Sequence, residues 1–123
     1  MSVDITATTR VCGIDRLVRE RGVVAMVGAE QVALFRVSDH EVLAVQQRDP
    51  FTGAHVMSRG LVGTRGDRLT VASPLHKQVF DLRTGECLDA GGAEPRNLRC
   101  WTVTVDSDGG VRVGILPVGG GAA

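Results

Sequence analysis

The sequence predicts an all-β domain, an antiparallel β-sandwich or small barrel. Three observations carry that prediction. Short runs rich in β-branched residues recur at intervals of roughly ten residues. Sixteen glycines punctuate them, and helical periodicity is nearly absent. In chain order, "GVVAMVG" (22–28) and "QVALFRVS" (31–38) read as strands, with "GAE" able to turn the chain between them. "EVLAVQQ" (41–47) follows the polar turn "SDH" and completes a meander. "DRLTVAS" (67–73) follows the turn signal "TRG". "QVFDL" and "ECLDA" flank "RTG", where Gly85 can take a positive φ at low cost and close a hairpin. "RCWTVTVDS" (99–107) alternates best, with Trp101, Val103 and Val105 on one face and Thr102 and Thr104 on the other. "DGG" then turns it into "VRVGI". "IDRLVRER" (14–21) is long enough for one or two helical turns and too short to stand alone.

The totals bound the function. A chain of 123 residues is one domain, 1–123, able to bury a core without metal or disulfide staples. Its ordered core is expected over about 10–115, and the closing "PVGGGAA" is expected to be disordered. Fourteen Lys and Arg balance fourteen Asp and Glu, so no net positive field draws the chain to nucleic acid or to anionic lipid. No apolar run approaches the roughly 18 residues of a membrane span, and "MSVDITATTR" does not read as a secretory signal. Cys12, Cys87 and Cys100 are odd in number and far apart, which favours free thiols in a reducing compartment over a disulfide framework. No phosphate-cradling glycine loop, HExxH or CxxC occurs.

Two segments break the strand rhythm. "RDPFTGAHVMSRG" (48–60) is longer than an ordinary hairpin loop, and "SPLHKQ" (73–78) is the second irregular stretch. Asp49 and Pro50 together are a turn signal, since Asp bonds its own backbone and Pro presets the next φ. His76 reads first as a polar group on an exposed loop tip. Trp101 reads as core, and the three cysteines as small hydrophobes with no base placed beside them.

The two irregular segments, "DPFTG" (49–53) and "SPLHKQVFDLRTG" (73–85), resemble the two loops that hold the cluster in Rieske-type domains. One such loop has the pattern Cys-Pro-His-x-Gly. The other has Cys-Pro-x-His, usually followed by Gly. Both prolines, Gly53, "FDL" and "TG" keep their order and spacing, and the similarity spans roughly 10–115. The implied fold is a Rieske-like antiparallel β-sandwich. The ligands are mostly replaced: Asp49 and Ser73 stand at the cysteine positions and Phe51 at the first histidine position, while His76 remains. A Rieske cluster takes two thiolates on one iron and two imidazoles on the other, so no 2Fe-2S cluster and no metal site is expected. Phe51 is expected to pack where a cluster would sit, contributing about 1.5–3 kcal/mol if buried.

A Rieske-like frame with replaced ligands is similar to the small subunit of the cytoplasmic NAD(P)H-dependent nitrite reductase. The opening "VCGIDRLVRERGVVAMVGAEQVALFRV", "DPF" before a glycine, and "FDLRTGECL" agree with that family. The resemblance implies a non-catalytic chain, with no catalytic or cofactor-binding residue of its own. It implies as partner a large subunit that carries FAD, a 4Fe-4S cluster and sirohaem and reduces nitrite to ammonium in nitrate assimilation. Arg48, His55, Met57, Arg59, His76 and Lys77 are the candidate docking residues. The alternatives are a cluster-carrying Rieske ferredoxin subunit of an oxygenase and a free-standing β-sandwich adaptor.

Overall fold

The computed structural model describes residues 7–118. Their strands are β1 (Thr8–Gly13), β2 (Val23–Val27), β3 (Glu30–Arg36), β4 (Val42–Gln46), β5 (Leu61–Arg65), β6 (Arg68–Ala72), β7 (Val79–Asp81), β8 (Cys87–Asp89), β9 (Cys100–Trp101), β10 (Val103–Val105) and β11 (Gly110–Gly114). They form three antiparallel sheets, ordered β1-β11-β10, β2-β3-β4-β9 and β5-β6-β7-β8. The all-β class holds.

The middle sheet explains why β3 reads as a nearly unbroken apolar run. Successive side chains of a strand point to opposite faces, and here both faces are covered. Val32 and Leu34 of β3, with Val42 and Ala44 of β4, enter a first core beside Trp101, Val111 and Val113. Ala33 and Phe35, with Val45, enter a second core beside Met57, Val71, Phe80 and Leu82. The second core carries the sheet β5–β8, and both irregular segments open from it: 48–60 links β4 to β5, and 73–78 links β6 to β7.

Several elements differ from expectation. The helical stretch 14–21 is a single 3-10 turn, Ile14–Arg16. The Arg36 guanidinium donates to the carbonyls of Ile14 and Leu17, each at 3.2 Å, while Leu17 turns extended and buries its side chain. The strand expected over 99–107 is two strands. β9 pairs with β4 and β10 with β11, because the carbonyl of Thr102 accepts from Gly114 N–H at 2.9 Å and carries the chain from one sheet to the next. Strands β1 and β5 were not expected. Both lie at sheet edges and lack a buried alternating face. Of the tail expected to be disordered, Pro117 and Val118 lie among the described residues. The Val118 N–H donates to the Cys100 carbonyl, so the chain packs further than expected. Residues 119–123 lie outside the described residues.

Candidate functional site

The two irregular segments are built on one backbone pattern. In 48–60 the Asp49 N–H donates to the Ala54 carbonyl at 2.7 Å, and the Asp49 carbonyl accepts from Gly53 N–H at 2.8 Å. In 73–78 the Ser73 N–H donates to the Gln78 carbonyl at 2.9 Å, and the Ser73 carbonyl accepts from Lys77 N–H at 3.0 Å. The hairpin between β7 and β8 repeats it: Asp81 N–H donates to the Glu86 carbonyl, and the Asp81 carbonyl accepts from Gly85 N–H, both at 2.8 Å. In all three the fifth residue is left-handed, with φ +81 at Gly53, +60 at Lys77 and +80 at Gly85. The opening side chain caps its own turn. Asp49 Oδ1 accepts from Phe51 N–H at 2.8 Å, and Asp81 Oδ1 from Arg83 N–H at 2.8 Å. The turn expected at Asp49 is therefore present, and the retained glycines and prolines of these loops have a local reason independent of any metal.

Lys77 is the exception to that pattern, a β-carbon-bearing residue where the left-handed position favours glycine. Such a conformation costs an L-residue about 1–2 kcal/mol, part of which glycine returns through its freer unfolded chain. Lys77→Gly is expected to raise the unfolding free energy by about 0.5–1 kcal/mol, read from urea midpoints. A destabilised variant would show that the Lys77 side chain itself holds the loop.

A second contact joins the loops. The Ser73 hydroxyl donates to Asp49 Oδ2 at 2.5 Å across 24 positions of sequence. Asp49 is fully buried and Ser73 is 1% exposed. The remaining ligand positions diverge. The Phe51 ring is half-buried against Phe80, centroids 6.1 Å apart, while His76 is exposed. The structure thus brings Asp49, Phe51 and Ser73 together against the second core and leaves His76 outside.

The docking residues divide similarly. Arg48, His55, Arg59, His76 and Lys77 are exposed. Met57 is not: it is 0% exposed and packs in the second core. The 3-10 turn Met57–Arg59 rolls its side chain inward, so Met57 is a core residue and not a surface contact. Sequence reasoning also passed over Gln47. Its buried amide donates to the His55 carbonyl and to Ser58 Oγ, both at 3.0 Å, and its Oε1 accepts from Ser58 N–H at 2.8 Å. Gln47 thereby fixes the far limb of 48–60. A glutamine at the end of a predicted strand, just before a long loop, was the one available signal.

The cysteines lie outside the loops, on β1, β8 and β9. None is in a disulfide. Burial pushes the Cys12 and Cys100 thiols above their ordinary range, so both are poor nucleophiles. Trp101 is buried as expected, with the Arg99 guanidinium 5.6 Å from its ring centroid.

The Rieske-like 2Fe-2S domain family matches residues 8–114. The small subunit of the NADH nitrite reductase of Escherichia coli strain K12 is 45% identical over 80 residues, 64% of this chain and 74% of that protein. The chain belongs to the nitrite reductase small-subunit family. A crystal structure assigned to an NADH-dependent nitrite reductase small subunit from Mycobacterium tuberculosis agrees. It is 42% identical with a TM-score of 0.83, covering 94% of this chain and all of that one (100%). The large subunit of the NAD(P)H nitrite reductase of Klebsiella oxytoca contains a related stretch. It is 39% identical over 97 residues, 79% of this chain and 10% of that protein.

The domain family is named for a 2Fe-2S cluster, and the residues present here do not fit one. At the cysteine positions a hydroxyl and a carboxyl are already bonded to each other. A phenyl ring fills the third position, and neither oxygen nor hydrocarbon replaces the thiolates that iron–sulfide chemistry needs. Among the described residues, no group of three or more His, Cys, Asp or Glu is placed to hold a metal ion.

Proposed function

We propose that this chain is the small, non-catalytic subunit of an NAD(P)H-dependent nitrite reductase, acting by association with a large catalytic subunit and carrying no electrons itself. The observation that carries the proposal is the Asp49–Ser73 hydrogen bond, which ties the two loops where the family pattern has cysteines. Membership of the small-subunit family supports the choice of partner. So does the Klebsiella oxytoca large subunit, which includes a stretch similar to this chain within one polypeptide. On this reading FAD, a 4Fe-4S cluster and sirohaem belong to the large subunit, as does the choice between NADH and NADPH. The assembled enzyme reduces nitrite to ammonium for nitrogen assimilation in the cytoplasm. The balanced charge of the chain supports a role away from nucleic acid. No helix among the described residues is long and apolar enough to cross a membrane. The donor set argues against the oxygenase-ferredoxin alternative, which requires a bound cluster.

Reconstitution tests the proposal. Nitrite-dependent NAD(P)H oxidation by the purified large subunit is expected to rise on adding this chain. The chain itself, purified without oxygen, is expected to be colourless. An unchanged rate, together with failure to recover the large subunit in a pull-down from native cells, would favour the free-standing adaptor. Stoichiometric iron and labile sulfide in the chain would favour the ferredoxin.

A further inference from the structure

We propose that the chain docks through the cationic loop segments 48–60 and 73–78 onto a carboxylate-bearing patch of the large subunit. This inference rests on the small-subunit reading and adds to it the sign and chemistry of the contact.

The chain as a whole balances fourteen cations against fourteen anions, but the loop tips do not. Segments 48–60 and 73–78 carry Arg48, Arg59 and Lys77, all exposed. Their single acidic residue is Asp49, which is fully buried and bonded to Ser73. The seven ion pairs among the described residues all lie elsewhere, so no described carboxylate lies within 4.0 Å of any of the three cations. The second segment also presents the exposed Pro74 and Leu75, the latter 46% exposed. Exposed apolar side chains accompanied by charged ones are a feature of protein–protein contacts. Two segments that carry three exposed cations and no exposed carboxylate orient the chain toward an anionic partner.

Two further features fit this role. The Asp49–Ser73 bond ties the two loops without a metal, so the tip meets its partner with little ordering left to do. Lys77 sits at a left-handed position where its two sister turns have glycine, and it gives the second segment its exposed cation.

The test is the association of the full-length chain with separately purified large subunit, measured at low and at high salt. Arg48→Gln, Arg59→Gln and Lys77→Gln are made singly and together. Arg10→Gln is the control for the single variants, a loss of one charge on β1, a strand that packs on the other core. The triple variant is expected to bind about tenfold or more weakly at low salt. That gap narrows at high salt as the charges are screened. Arg10→Gln is expected to stay within about twofold of the unsubstituted chain. A triple variant with an unchanged melting temperature that binds as tightly as the unsubstituted chain, or more tightly, overturns the inference and leaves the subunit reading standing. No binding by the unsubstituted chain overturns both.

Discussion

Asp49→Ala is expected to lower the unfolding free energy by about 3 kcal/mol. Two contacts disappear together: the 2.8 Å bond from Phe51 N–H, which sets the turn, and the 2.5 Å bond from the Ser73 hydroxyl. The second loss leaves a buried hydroxyl without its acceptor, and an orphaned buried polar group costs more than an average hydrogen bond contributes. Ser73→Ala removes one of the two contacts and is expected to cost about 1–3 kcal/mol. Asp49→Asn is the milder change. It keeps the Oδ1 acceptor for Phe51, and its amide can donate to the Ser73 oxygen, so about 1 kcal/mol is expected. Urea unfolding monitored by circular dichroism ranks the three. An Asp49→Ala variant as stable as the parent would mean that the loops do not depend on this tie. A double-mutant cycle between positions 49 and 73 isolates their coupling from the loss of the turn.

Phe80→Ala is expected to cost about 3–5 kcal/mol. Phe80 is 0% exposed in the second core, on a strand whose neighbours are Val71 of β6 and Cys87 of β8. Removing its ring opens a cavity beside Phe51 of the first loop, and the surrounding strands can close only part of it. Phe51→Ala, at a half-buried position, is expected to cost about 1.5 kcal/mol. Because the two rings touch, the two losses should not add. A coupling of about 0.5–1.5 kcal/mol is the usual range for an aromatic pair. Zero coupling in thermal or denaturant melts would show that Phe51 merely shields the core and does not hold the first loop to it.

These two predictions sit where local and long-range information meet. The turn at Asp49 was legible because it is local: a side chain bonding its own backbone two residues on, followed by a proline, needs no other part of the chain. Gly85 was legible for the same reason. Strands β2, β3, β4, β6, β7, β8 and β11 were legible because each has β-branched or apolar residues bounded by turn residues. Strands β1 and β5 were not, since an edge strand is held by its cross-strand partner and need not advertise a buried face. The single strand expected over 99–107 failed for a related reason. Its alternation was read correctly, with Trp101 buried and Thr102 and Thr104 exposed. Alternation, however, does not say which sheet each half will join.

The sequence by itself determined the all-β class, the turn chemistry of the loops and the replacement of sulfur donors by oxygen and hydrocarbon. The first two follow from residue type and near-neighbour spacing, and the third from the resemblance of the two loops to those of Rieske-type domains. Only the tertiary structure decided that Ser73 bonds Asp49, that Met57 turns into the core while Arg48, Arg59 and Lys77 stay out, and that both faces of the middle sheet are covered. Each of those outcomes depends on which distant segments pack together, and the free energy that selects them comes from burying shared surface, which no short stretch of the chain encodes alone.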